Sequence, residues 1–186
     1  MIISVEELRK AKGILQEVAY ELQEENIPFS REIQVGIMVE VPAAALMAEE
    51  LAQEADFFSI GTNDLTQFTL AIDRTNQKLA ASFSPLAPPV LRLIELTVAA
   101  AKKYNIPVSC CGEMTANPIG FLILLGLGVE EFGCNLYAIP QMKHLAREVT
   151  MDDVRHRVQK ALKAISVSEV EALFADLVSD TKSDDE

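Results

Sequence analysis

The sequence has no tryptophan, and only 6% of its residues are aromatic. Stacking of bases on aromatic side chains therefore has little to build on. Basic residues are also scarce: 16 Lys and Arg stand against 28 Asp and Glu, a formal net charge of −12 at pH 7. Without a basic stripe to neutralise phosphates, nucleic acid is a poor candidate partner. A small anion held by a few local cations is still allowed. No apolar run approaches the roughly 20 residues that span a bilayer. The N-terminus, MIISVEELRK, lacks the basic and apolar regions of a signal peptide, so no membrane association is expected. Cysteines number three, Cys110, Cys111 and Cys134. They form no CxxC pair and no disulfide framework, which points to a reducing, cytoplasmic setting.

What is present suits a folded domain. Hydrophobic residues make up 49% of the 186 and charged residues 24%, as in ordinary globular proteins. The length fits one domain, taken as 1–179, with 180–186 as an acidic, disordered tail. Along the chain, helical and strand patterns alternate. Val5, Leu8, Leu15, Val18 and Leu22 recur at helical spacing over 4–26, and Ser4 followed by Glu7 fits a capping box. Strands are expected at 34–39, 57–60, 106–111 and 131–134. Helices are expected at 43–55, 65–72, 89–104, 117–127, 140–148, 151–164 and 167–179. Residues 61–64 read as a turn and 75–89 as a loop. Four strands alternating with helices argue for an α/β protein with a parallel sheet. The strands are not amphipathic, so both faces are expected to be covered.

The polar residues with chemical potential gather after strands. Glu40 follows the first, Asn63 and Asp64 the second, Cys111, Gly112 and Glu113 the third, and Asn135 the fourth. In α/β folds ligands bind at the carboxyl ends of strands, so these groups belong to one rim. Alone, Glu40 reads as a charge favoured by a helix N-terminus, and Asp64 as a turn residue. Together they supply two hard oxygen ligands, a set that suits Mg²⁺ beside a substrate phosphate. Arg74 reads either as a surface arginine or as a bidentate clamp for phosphate or carboxylate. Cys111 reads either as a small core residue or as a general acid at a carbon centre. His144 and His156 lie in helical patterns away from strand ends, as surface or packing residues.

These same residues carry a resemblance. The run DFFSIGTNDLTQFTLAIDR (56–74) resembles the second signature of the phosphoenolpyruvate-utilising enzymes. GIMVEVPAAA (36–45) resembles the metal-ligand segment of that family, and CGEM (111–114) resembles its cysteine loop. Within the family, LAIDRTN (70–76) and CGEM are most similar to the enzyme I branch, the phosphoenolpyruvate-protein phosphotransferases of the sugar phosphotransferase system. The likeness covers roughly residues 1–175. A fragment of phosphoenolpyruvate synthase or pyruvate phosphate dikinase, and a non-catalytic dimerisation module, are the other readings.

The resemblance implies a phosphoenolpyruvate-binding (β/α)8 TIM barrel, of which this chain carries the C-terminal portion, about four βα units. It implies that Glu40 and Asp64 ligate Mg²⁺, and that Asn63, the Asp64 backbone and Arg74 hold the substrate phosphate. Cys111 would protonate the enolate carbon as pyruvate forms. It further implies a cytoplasmic transferase that passes the phosphoryl group to a protein histidine. The histidine-containing phosphocarrier protein would be reached through N-terminal domains absent from this chain. His144 and His156 match no active-histidine motif, so the chain alone is expected not to complete the transfer. A homodimer is implied as well, and the open edges of half a barrel invite pairing with another chain.

Overall fold

The computed structural model describes residues 1–76, 78–79 and 82–179. The expected tail at 180–186, and residues 77, 80 and 81 of the expected loop, lie outside the described residues. The chain opens with helix α1 (Val5–Glu24). Ser4 caps it by accepting from the Glu7 N–H at 3.2 Å, and Glu7 returns the favour by accepting from the Ile3 N–H at 2.8 Å. Ser166 and Glu169 repeat the device at the start of the later helix Val167–Ala172.

Among the described residues four strands follow: β1 (Ile37–Val39), β2 (Phe58–Gly61), β3 (Val108–Cys111) and β4 (Glu131–Gly133). They form a single sheet in the order β1-β2-β3-β4, and every neighbouring pair is parallel. Between β1 and β2 lie α2 (Pro42–Leu46) and α3 (Ala48–Ala52), and between β2 and β3 lie α4 (Thr62–Leu70) and α5 (Pro88–Tyr104). A 3₁₀ turn (Glu113–Ala116) and α6 (Pro118–Leu127) connect β3 to β4. After β4 come α7 (Ala138–Glu148), α8 (Met151–Ala161), α9 (Val167–Ala172) and α10 (Ala175–Ser179). This is the architecture of consecutive βα units of a barrel, as expected.

The core lies between the sheet and its helices. Val39, Phe58, Ile60 and Cys110 point into it, and α5 and α6 supply Leu91, Ile94, Leu122 and Ile123, all buried. The opposite sheet face differs from expectation. Met38, Ser59, Ser109 and Glu131 share one register row, and this row is partly or fully exposed. Alternation along each strand is therefore real, and the helices cover one face. In a closed barrel that row would line the interior.

Other differences are local. The expected helix 43–55 is broken at Met47 into α2 and α3. The expected turn at 61–64 is instead the last strand residue followed by the first turn of α4. The apolar stripe of α1 is buried only at Leu8, while Leu15 and Val18 are exposed. Helix α1 is joined to the sheet through the non-helical stretch after residue 24 and packs on α3, and Arg9 pairs with Glu54, two residues past the end of α3, at 2.5 Å.

One guanidinium ties the C-terminal helices together. Arg157 of α8 donates to the Leu173 carbonyl, to Asp153 and, through two nitrogens, to Asp176. The hydrogen bond from Arg157 holds the Asp176 carboxyl below its ordinary range. A depressed carboxyl stabilises the fold above its unfolded pKa and loses that contribution as pH falls through the folded value. Thermal melts of Asp176→Asn should thus show a lower Tm than the parent chain at pH 7. The gap should close below about pH 4, the ordinary carboxylate range.

Candidate active site

Because all four strands run the same way, their carboxyl ends share one edge of the sheet. Register then decides which residues meet there. Gly61 pairs with Cys111, and Cys111 pairs with Gly133. The rim is therefore Glu40 beside Gly61, then Cys111-Gly112-Glu113, then Gly133-Cys134-Asn135. Glu40 packs on Gly61 closely enough that a β-carbon there would lie 3.3 Å from its Oε2. Between the third and fourth strand ends lies an open cavity of ≈ 710 Å³, lined by Asn63, Cys111, Gly112, Glu113, Cys134 and Asn135 among others.

Helix α4 begins directly where β2 stops. Its capping position is Gly61, which offers no side-chain acceptor. The first backbone N–H groups of an α-helix lack intrahelical partners, and here they emerge at the rim with Asn63 and Asp64 in the first turn. Asn63 Oδ1 accepts from the Glu113 N–H at 3.1 Å. The partner is a donor, so the amide oxygen is committed and the amide NH₂ remains available to a ligand.

The cysteine loop is held by buried hydroxyls. Thr62, fully buried, donates to the Cys111 carbonyl at 3.0 Å. Thr115, also fully buried, lies within hydrogen-bond distance of the Gly112 carbonyl at 2.7 Å and the Gly133 carbonyl at 2.8 Å. Gly112 sits at φ +110°, and a β-carbon there would fall 3.0 Å from Asn63 Oδ1 and closer still to Thr62 Oγ1. Only glycine lets the loop approach α4 this closely. Asn117 caps α6 through the Gly120 N–H at 2.9 Å, and Asn135 accepts from the Ala138 N–H at 3.0 Å. The rim loops are thus tied to β2, β3, β4 and the helices that follow them.

The cysteines differ. Cys110 faces the core, and burial pushes its thiol pKa well up, which keeps it protonated and inert. Cys111 faces the open side and is partly exposed, as is Cys134.

The structure brings Glu40, Asn63 and Cys111 to adjacent strand ends, with Asp64 next to Asn63. Of these residues Asn63 and Cys111 line the cavity, whereas Glu40, Asp64 and Arg74 are not part of its wall. Arg74 lies on the exposed stretch after α4, where its N–H donates to Gln67 Oε1 at 3.4 Å. Neighbouring Asp73 is held below its ordinary range, chiefly by the Thr75 N–H. Among the described residues no group of three or more His, Cys, Asp and Glu is placed to hold a metal ion, and no helix is long and apolar enough to cross a membrane. Sequence reasoning missed Thr62, Thr115 and the cavity position of Cys134. Thr62 reaches a carbonyl 49 positions away, and Thr115 reaches one 18 positions away besides that of nearby Gly112; no local pattern shows the long-range relations.

A run of parallel βα units with its polar groups collected at the carboxyl strand ends defines a barrel-type ligand-binding protein. The family described as PEP-utilising enzyme, PEP-binding domain, matches residues 1–151, and the chain belongs to it. It is similar to the phosphoenolpyruvate-protein phosphotransferase of Buchnera aphidicola, 44% identical over 170 residues, which are 91% of this chain and 30% of that relative. The protein of the same name from Haemophilus influenzae is 41% identical over 178 residues, 96% of this chain and 31% of the relative. That of Priestia megaterium is 42% identical over 170 residues, 91% of this chain and 30% of the relative. The chain thus spans under a third of the length of these relatives.

Thr115→Val should lower stability by about 0.5–1.5 kcal/mol, the net worth of the hydrogen bond its hydroxyl donates. Urea unfolding monitored by far-UV circular dichroism measures this. Gly112→Ala should lower it as well, because both the left-handed φ and the contact with Thr62 oppose a β-carbon.

Proposed function

We propose that this chain is the phosphoenolpyruvate- and Mg²⁺-binding C-terminal portion of a phosphoenolpyruvate-protein phosphotransferase of the sugar phosphotransferase system. The observation that carries this reading is the rim itself. A donor-rich helix start, a carboxylate and an accessible thiol stand on adjacent parallel strand ends, in a chain similar to proteins of that name. Glu113 in the cysteine loop favours this branch over the synthase, and LAIDRTN (70–76) around Arg74 favours it over the dikinase.

Glu40 and Asp64 are the residues that would hold Mg²⁺. Both offer hard oxygen, and Gly61 puts no side chain of its own beside Glu40. Two carboxylates with water and phosphate oxygens are a common Mg²⁺ set, so the absence of a third protein ligand among the described residues is compatible with it. When bound, the ion neutralises charge on the substrate phosphate.

The chain's own groups do the rest. The free N–H groups of the first turn of α4 favour an anion, and the Asn63 NH₂ adds a directed donor. Arg74 would supply a bidentate guanidinium to the phosphate from the stretch after α4. Transfer of the phosphoryl group depends mainly on positioning and charge neutralisation. The enolate left behind gains a proton at carbon from the Cys111 thiol, giving pyruvate and a thiolate, and solvent reprotonates the thiolate. The accepting histidine would be that of the family's N-terminal phosphohistidine domain, which hands the group on to the phosphocarrier protein. His144 on α7 and His156 on α8 are exposed and stand away from the rim, so the fragment is expected to be inactive alone. The cysteine usage supports a cytoplasmic setting.

Titration calorimetry tests the reading. Phosphoenolpyruvate should bind the folded chain with Mg²⁺ and not with EDTA; absence of binding in Mg²⁺ would overturn it. Asp64→Asn should weaken Mg²⁺-dependent binding by about tenfold or more, at least ~1.4 kcal/mol, and unchanged affinity would remove Asp64 from the metal site. We also infer that the chain self-associates through its sheet edges, β1 and β4. Light scattering should show a dimer at micromolar concentration, and a clean monomer would exclude it.

A further inference from the structure

We propose that Thr62 is a positioning residue for the Cys111 thiol: its hydroxyl adds one rung to the β2–β3 ladder and fixes the thiol against the first turn of α4. The backbone register of these strands ends at Gly61 and Cys111. Past that point the two chains part. Strand β2 runs directly into α4, of which Thr62 is the first residue, and β3 turns into the loop that begins with Gly112. A strand end with nothing beyond it opens easily. Here Thr62 Oγ1 donates to the Cys111 carbonyl at 3.0 Å. A side chain thus carries the pairing one step beyond the backbone.

The peptides on both sides of Gly112 are held. Thr62 takes the carbonyl of the first. On the second, Asn63 Oδ1 accepts from the Glu113 N–H at 3.1 Å, and the Thr115 hydroxyl donates to the Gly112 carbonyl at 2.7 Å. Neither plane turns without breaking one of these bonds, although glycine is the residue with most freedom to turn. Thr62 is fully buried, whereas Cys111 is partly exposed. The anchor is shielded from water while the thiol it places is open to a ligand. Thr62 is not part of the cavity wall, so it acts through the Cys111 main chain and not on a ligand.

The consequence for turnover rests on the reading of Cys111 as the proton donor and of the α4 start as the phosphate-binding turn. Thr62 belongs to that turn, so one residue ties the thiol to the groups that would hold the phosphate. Reactions within a bound complex are sensitive to such placement, since a shift of about 1 Å can cost roughly a hundredfold in rate. Valine at 62 would fill nearly the same space and leave the Cys111 carbonyl without its donor. Serine would keep the hydroxyl and give up only the methyl. The two substitutions separate a positioning role from a packing role.

The experiment is the rate of Cys111 alkylation by iodoacetamide in the whole chain, read by peptide mapping after cleavage at glutamate. Cleavage at Glu113, Glu130 and Glu131 puts Cys134 on a different peptide from Cys111. Cys110, 1% exposed, should stay unmodified and reports on the fold in the same map. Thr62→Val should speed alkylation of Cys111 roughly 2- to 10-fold, the factor by which loss of one net hydrogen bond raises the population of a freed loop. Thr62→Ser should keep the parent rate. An unchanged rate in Thr62→Val with Cys110 still protected, or an equal rise in Thr62→Ser, would overturn the proposal. Should Cys110 react in Thr62→Val, that variant has lost its fold and Thr62→Ala replaces it. Alanine differs from serine by the hydroxyl alone, so Thr62→Ala should react faster than Thr62→Ser by the same factor, and equal rates would overturn the proposal. Phosphoenolpyruvate calorimetry on the parent chain is a separate readout. Its failure would remove the proton-donor reading and leave the alkylation comparison standing.

Discussion

Parallel pairing is the constraint on which the rest depends. Strands that all run one way end together, and the register of Gly61, Cys111 and Gly133 sets which backbone atoms meet at that edge. Everything chemically interesting in this chain follows from where those strands stop. The helices act as return paths and as the apolar cover that makes the register costly to shift, because a one-residue slip would turn Val39, Phe58 and Ile60 out of the core. Thr62 and Thr115 then fasten the loops to the edge. A site assembled this way needs few specialised side chains, since the backbone has already placed them.

Much of this was legible in the residues. The parallel sheet and the gathering of Glu40, Asn63, Asp64 and Cys111 at one rim follow from alternation of elements and from the general position of ligand sites in α/β folds. The boundary at 61–64 was not legible, for a physical reason. Thr, Asn and Asp suit a reverse turn and the first turn of a helix equally well, and only the packing of α4 decides. The break at Met47 is likewise a tertiary matter. The open row of Met38, Ser59, Ser109 and Glu131 was obscured by Gly, Ser and Met, which report weakly on burial. The apolar stripe of α1 was read correctly as a helix, but periodicity does not say what a stripe packs against.

The site shows a similar division. Residue type and position after a strand singled out the carboxylates, the amide and the thiol. Arg74 was singled out by its motif, and α4, about 13 Å long by its nine residues, separates it in the fold from the strand end. What sequence could not show were hydroxyls whose partners lie far along the chain, with Thr62 bonding across 49 positions and Thr115 across 18.

Those two threonines have a further consequence. They grip main-chain carbonyls, which every residue possesses, so the hold of Thr62 on the Cys111 carbonyl is indifferent to the side chain that position carries. Cys111 can therefore be exchanged over generations without loosening that hold. Chemistry and architecture are separable here, and the rim is free to drift toward new ligands while its foundation stays fixed.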